Sequence, residues 1–355
     1  MRRTKLIVPS TTMDIMCKGG ISCCALLRRW SSTCAPLPHR DDGKFVSGDS
    51  ARGVTPSSKS LMICTDFVGS PSAPKERLSA GDLMGLMDIT AARTAMCHIS
   101  GHKLFKPTTT PSPAEPTAAV PMIHPVTTYG ATSTLGVSVA TVAADRTMFY
   151  GPLLNGDLVS VTGRVVHAGS SAVGVHVGVS RMRYTSDIAS PIGEAFFSMV
   201  AIDASLKAAK VVPAVLLESP EEMELHHTYA RTRTLQKDNT AYYKVLESCS
   251  TDELVARLQS GPSDPTHRSL VPVASTETFA NRLFFSGYLN HNQTIFGGEI
   301  LRWMESHAVH CGRCFTRNRH VYTIGMHSVS FNNPIFLTDW VSLRARVTLV
   351  RNTTM

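Results

Sequence analysis

The chain has 355 residues, 43% hydrophobic and 17% charged, which excludes a disordered or collagen-like protein and leaves room for two domains of ordinary size. Its formal charge of +8 is concentrated at one end: residues 1–40 hold seven Lys and Arg against the single acid Asp14, so only +2 remains for the rest. A nearly neutral body does not indicate a nucleic-acid partner. No apolar run approaches the roughly 18 to 20 residues that cross a bilayer, so no membrane span is expected.

The first stretch is basic, acid-poor and rich in Ser, Thr and Cys, the composition of a transit peptide. Arg28-Arg29-Trp30-Ser31-Ser32 reads as a mitochondrial processing site, and Met13 or Met16 offers a later start. Residues 1–60 are therefore expected to be presequence and disordered segment, and the mitochondrion is the expected location. Of the nine cysteines, Cys17, Cys23, Cys24 and Cys34 fall in that stretch; the odd count fits a reducing compartment better than a disulfide framework. Cys311-Gly-Arg-Cys314 is the only CxxC. Without a second pair it reads as ordinary thiols, and no metal is expected.

Next comes a helix, Gly81 to Met96, apolar on nearly every side, so most of its circumference must be buried. Four strand-like runs follow: Val126 to Ala143, Leu158 to His167, Ala172 to Tyr184 and Glu194 to Ala204. Pro107 to Pro125, rich in Thr, Pro and Ala, reads as a surface loop insertion. A buried helix followed by antiparallel strands is an α+β unit. Residues 213–280, with Glu218-Ser-Pro-Glu-Glu-Met-Glu224, form a helical connector expected to pack across two units. A second all-round apolar helix is expected over Gly297 to Val309.

The chain also repeats itself. Phe149, Pro152, Asp157, Val159 and Ser160 recur as Phe331, Pro334, Asp339, Val341 and Ser342, five identities in twelve ungapped positions at a constant offset of 182 residues. In each copy a Pro-containing turn leads through Asp into an alternating strand. Two copies of one supersecondary unit make a pseudo-dimer, with 61–212 as the N-terminal unit and 281–355 as the second. The sequence reaches Met355 before any counterpart of Ser171 onward, so the second unit is expected to be incomplete.

Each repeated helix carries an acid seven residues after its opening glycine, Asp88 after Gly81 and Glu305 after Gly298. Seven residues place the acid on the glycine's face but about 10 Å further along the axis. It therefore cannot act at its own helix's start. Two such helices paired antiparallel would bring each acid to the start of the other. Before the second helix, Asn290 to Gly298 ends in two glycines, which permit close backbone approach and offer unpaired N–H groups at a positive helix end. Such a place can polarise a carbonyl oxygen as it becomes an oxyanion. His307 and His310 share a helix face, a spacing that reads as packing more readily than as metal ligation.

Asn290, the sequence Phe296-Gly297-Gly298 and the acid seven residues beyond it resemble the loop–helix signature of hotdog acyl-CoA thioesterases. Gly81 to Asp88, Gly163 to Ser171, Met199 to Asp203 and Glu218 to Glu222 resemble more narrowly the mitochondrial acyl-CoA thioesterase 9 group. The resemblance, over roughly residues 76–355, implies a tandem hotdog. Each unit would be a long buried helix wrapped by an antiparallel sheet, the second one truncated. It implies hydrolysis of acyl-CoA to free fatty acid and CoA without a cofactor, in a homo-oligomer. By position, Asp88 would activate a water or attack the thioester, and Asn290 would orient that water. The Gly298 N–H would hold the carbonyl oxygen, with Gly297 and Phe296 beside the substrate. Glu305 would mark a degenerate second site, because Ala73 stands where the other loop has Asn290. One working site is expected. Arg344, Arg346 and Arg351 are candidates for CoA phosphates, against a plain solvent-facing role. A non-catalytic acyl-CoA binder or degenerate paralogue remains an alternative. A hotdog hydratase fits less well, since Ile295 to Gly298 supplies no His at the helix start.

Overall fold

The computed structural model describes residues 13–17, 44–68, 77–101, 136–183, 186–248, 271–350 and 354–355. The expected processing site at Arg28 to Ser32, the Pro107–Pro125 insertion, Ala73 and Arg351 lie outside them.

In the first unit, helix α1 (Ala80–Ser100) lies in the concave face of strands β4 (Met62–Phe67), β5 (Ser138–Phe149), β6 (Leu158–Ala168), β7 (Ala172–Arg183) and β8 (Ser186–Ile202). Their order across the sheet is β5-β8-β7-β6-β4, all antiparallel. The reason is visible in the side chains. Val173, Val175, Val177 and Val179 alternate along β7, as Ala195, Phe197, Met199 and Ala201 do along β8, and their buried face packs on Leu83, Met84, Met87, Ala91 and Ala95 of α1. Between them, Phe196 points to the other face, into a separate cluster with Val166 and Tyr229. This is the hotdog arrangement.

The second unit contains β10 (Thr278–Arg282), helix α3 (Gly297–Thr316), β11 (Val321–Ser330) and β12 (Val341–Ala345), with β10 paired to β12. β11 pairs antiparallel with β5, so one sheet runs through both units. Thr147 faces Met326 and Ala144 faces Val329. Residues 144 and 326, and 147 and 329, are related by the same offset of 182, so a pseudo-twofold axis passes through this strand pair. The repeated Asp has a structural task in each copy. Asp157 Oδ2 accepts the Leu154 N–H at 2.9 Å, and Asp339 Oδ2 accepts the Phe336 N–H at 2.9 Å, closing the same turn.

The axis also relates the helices, which cross antiparallel at close range. A Cβ added to Gly81 would lie 2.8 Å from Arg302 Cα, and one added to Gly298 would lie 2.9 Å from Gly85 Cα. Only hydrogen fits at those two positions.

Connector helix α2 (Pro220–Ser248) starts with a capping box. The Ser219 hydroxyl accepts the Glu222 N–H at 3.2 Å, and Glu222 Oε2 accepts the Glu218 N–H at 2.8 Å. The helix reaches both units, because Gln236 Nε2 donates to Asp145 Oδ1 on β5 and to Ser328 Oγ on β11. Burial pushes the Asp145 carboxyl up to about 7, against the attraction of Arg233 at 3.4 Å.

Four expectations need correction. Residues 44–60 belong to the fold: β2 (Phe45–Ser47) and β3 (Val54–Pro56) sandwich β9 (Ala214–Leu217), and the Ser57 hydroxyl donates to Val165 O at 2.7 Å. The backbone of β1 (Met13–Cys17) pairs with the free edge of β11. Among the described residues the first strand after α1 is Ser138–Phe149, running past the expected end at Ala143 to the repeat motif, while 126–135 of the expected strand lie outside them. Finally, α3 is not buried all round; Arg302, Ser306, His310, Arg313 and Cys314 are exposed along it. Among the described residues no helix is long and apolar enough to cross a membrane.

Gly81→Ala should lower stability by up to about 2 kcal/mol in chemical denaturation, because crowding of about 1–3 kcal/mol outweighs the gain in helix propensity of about 1 kcal/mol. Gly85→Ala, where an added methyl meets nothing within 4 Å, should be neutral or stabilising.

Candidate active site

Antiparallel crossing of the two helices has the consequence that the acid spacing demands. Asp88, on the third turn of α1, is fully buried beside the start of α3. Its Oδ1 accepts the Thr141 hydroxyl of β5 at 2.6 Å. Its Oδ2 is buried without a hydrogen-bond partner. Burial pushes the carboxyl up to about 6, and the Thr141 hydroxyl and the Gly298 N–H only partly offset that. An added Cβ at Gly297 would stand 3.1 Å from Oδ2 and 3.3 Å from Thr141 Cβ, so glycine keeps the space next to this oxygen open.

Thr141 and Gly297 also line a cavity of about 610 Å³. One wall is a single face of α1, Ile89, Ala92, Arg93 and Met96, and the opposite wall is the start of β5 to Val142 with Val200 and Ile202 of β8. Leu206 and Ala208, loop residues between Leu289 and Gly297, and the repeat turn Phe331 to Ile335 complete the lining. Its surface is chiefly apolar, with Asn290, His291, Asn292 and Thr141 as convergent polar groups. That combination is how a chain with one reactive polar end is held.

The loop is rigid for a local reason. Asn290 Oδ1 accepts the Asn292 N–H at 2.9 Å, the Thr294 N–H at 3.2 Å and the Thr294 hydroxyl at 3.1 Å. Asn292 then ties the loop to β5, accepting from Ser138 and donating to Val139 O at 3.1 Å. The carbonyl of Asn290 is thus used inside its own turn, and only its amide nitrogen, which makes no hydrogen bond among the described residues, is left for a ligand. Gly297 and Phe296 line the cavity, whereas Gly298 does not. The Gly298 N–H faces the Asp88 carboxylate, and its missing side chain serves the helix crossing.

Across the pseudo-twofold axis, Glu305 is 3% exposed beside the start of α1. Ser79, the N-cap of α1, donates to its Oε2, and Thr323 donates to its Oε1 at 2.7 Å. Thr323 is the counterpart of Thr141 at the offset of 182, so extending the repeat upstream would have identified both threonines. Ser79 has no such signal. The contrast between the acids is one of valence: both oxygens of Glu305 are satisfied, and one oxygen of Asp88 is not.

The histidine pair reads as packing. His307 Nε2 lies 3.2 Å from Thr278 Oγ1, and the His307 and His310 rings stack at 6.1 Å. No group of His, Cys, Asp and Glu among the described residues could hold a metal ion. Cys311 and Cys314 are free thiols, the first buried and the second exposed. Arg344 and Arg346 lie on the outer edge of β12 and beyond it, within 3.9 and 3.0 Å of Glu277, away from the cavity lining.

Residues 292–355 match the model of the thioesterase superfamily. A mouse acetyl-coenzyme A thioesterase is 23% identical over 173 residues, 48% of this chain and 30% of that protein, so the match spans about a third of the relative's length. Among solved structures, a hexameric acyl-CoA thioesterase is 24% identical with a TM-score of 0.39, covering 53% of this chain and 97% of its own. An acyl-CoA hydrolase variant from Staphylococcus aureus in complex with coenzyme A is 21% identical with a TM-score of 0.40, covering 55% of this chain and 98% of its own.

The raised Asp88 pKa makes a stability prediction. The folded state holds this proton more tightly than the unfolded one, so stability is greatest below the ordinary carboxylate range and is lost as pH rises through about 6. Removing the charge in Asp88→Asn should therefore stabilise the protein by up to about 3 kcal/mol at pH 8, and the gain should vanish near pH 4, as read by denaturation at both pH values.

Proposed function

We propose that this chain hydrolyses fatty acyl-CoA thioesters to free acid and CoA at one site, built from Asp88 of the first unit and residues 290–297 of the second. The observation that carries the reading is the half-satisfied, fully buried carboxylate of Asp88, which does not itself line the apolar cavity but touches two residues that do, Thr141 and the helix-opening Gly297. A carboxylate without its full set of partners is costly to bury, and a pKa near neutrality suits a general base.

In this reading the acyl chain lies along Ile89, Ala92 and Met96, with the thioester carbon near Asp88. Thr141 fixes the carboxylate so that Oδ2 faces a water. Asp88 takes the proton as the water oxygen adds to the thioester carbon. The Gly297 N–H, at the positive end of α3, stabilises the oxyanion, with the Gly298 N–H available once Asp88 is protonated. Collapse breaks the C–S bond, and the thiolate of CoA recovers the proton. Direct attack by Oδ2, giving a mixed anhydride that water then opens, uses the same residues. The Asn290 amide nitrogen orients water or carbonyl, and Phe296 flanks the substrate. Glu305 is an exhausted counterpart, its oxygens both engaged.

The finer assignment to the mitochondrial acyl-CoA thioesterase 9 group, a mitochondrial location and a homo-oligomeric assembly belong to the same proposal. They rest on the sequence motifs and the basic first 40 residues. So do the boundaries of the two units and the connector, with the first unit extended to take in 44–60.

Thiol release from a short-to-long acyl-CoA panel tests it. Asp88→Asn should lose about 10²- to 10⁴-fold in kcat, the range for a positioned base. Wild-type kcat/KM should fall as pH drops through about 6, where Asp88 gains its proton. An Asn variant that turns over at the wild-type rate would sink the assignment. Label in Asp88 after a single turnover in ¹⁸O-water identifies an anhydride that water opens at the aspartyl carbon, since the water-activation route labels the fatty acid alone.

A further inference from the structure

A second cavity, of about 240 Å³, is lined by Arg77, Ser79, Glu305, Ser306, Val309, Arg313, Tyr322 and Thr323. It is the pseudo-twofold mate of the apolar one. By the helix offset of 217 residues, Ile89, Ala92 and Met96 correspond to Ser306, Val309 and Arg313, all lining residues. By the strand offset of 182, Ala140 and Thr141 correspond to Tyr322 and Thr323. The same framework therefore carries a chiefly apolar wall on one side and, on the other, a mixed wall in which Arg77, Arg313 and hydroxyl residues stand beside Leu78, Leu83 and Leu153.

We propose that this second cavity binds a compact oxyanion of two or more charges, a phosphate compound or a small dicarboxylate. Two arginines, Arg77 and Arg313, line it, and neither meets a carboxylate within salt-bridge distance among the described residues. Arg77 is placed with its guanidinium over the Tyr322 ring at 3.9 Å, and its backbone bridges to Leu154. Arg313 stands in the last turn of α3. Guanidinium forks match oxyanions in geometry as well as charge. Glu305 also borders the cavity, but its two oxygens are turned into hydrogen bonds with Ser79 and Thr323. Two cations against one such anion leave the wall net positive. Tyr322 and Arg313 stand where Ala140 and Met96 stand on the other side, and the smaller, more polar cavity suits an anion better than an acyl chain.

Calorimetric titration of the full chain with pyrophosphate and, separately, succinate tests this without any measurement of hydrolysis. At least one probe should bind and raise the Tm, and R77Q and R313Q should each weaken it at least tenfold. R344Q, which removes an exposed arginine elsewhere on the surface, should leave binding unchanged. Pyrophosphate alone binding identifies the phosphate class; succinate binding as well extends the site to carboxylates. Absence of binding to wild type, or equal loss in R344Q, overturns the proposal. Because Arg313 is exposed at a helix end, R313Q should keep the wild-type Tm without probe, and undiminished binding by that folded variant also overturns it.

Discussion

Everything at the candidate site depends on how closely α1 and α3 can approach. Backbone meets backbone at two points, Gly81 against Arg302 and Gly298 against Gly85. The crossing is antiparallel and centred on the same pseudo-axis as the β5–β11 pair. A side chain at either glycine would force the helices apart, and the acid on each would move away from the other's first turn. The site is thus a property of an interface, and neither unit holds it alone.

That interface receives two buried carboxylates and treats them differently. Glu305 has one methylene more than Asp88 and finds a second hydroxyl, from Ser79, where Phe296 occupies the equivalent position opposite Asp88. A charge with two donors is tolerated as structure. At Asp88 burial pushes the carboxyl up to about 6, because one hydroxyl donor and a backbone N–H offset the lost hydration only in part. The repeat supplies two similar frames, and the residues bordering each acid leave one carboxylate fully paired and the other not.

Much of this was legible before any coordinates. The repeat of Phe149 to Ser160 at 331–342 marks the two units, and the seven-residue spacing from glycine to acid implies an antiparallel helix pair. The alternating valines give the strands around it. What could not be read depends on partners distant in sequence. Residues 44–60 have the composition of a tail, yet β2 and β3 find a strand at 214–217. Asn290 has the identity of a water-binding residue, but its carbonyl closes a turn with Thr294. Gly297 and Gly298 look interchangeable, and only the helix crossing assigns one to the cavity and the other to packing. The apolar periodicity of α3 overstated its burial, because its Arg and Ser positions face a side that the described strands do not cover.

The single sheet running through both units joins residues more than 170 positions apart, Met148 with Gly325 for example. A ribosome delivers the first unit, with all five of its strands, well before α3 exists. Until the later half arrives, the core of the first unit lacks Leu301, Met326 and Val329, and its β5 edge and the Asp88 end of α1 have no cover. Docking of the later half caps that edge and buries the acid in one step. Chain length therefore acts as a timer: the Asp88 carboxyl acquires its raised pKa only when synthesis has passed α3 and the two helices have met.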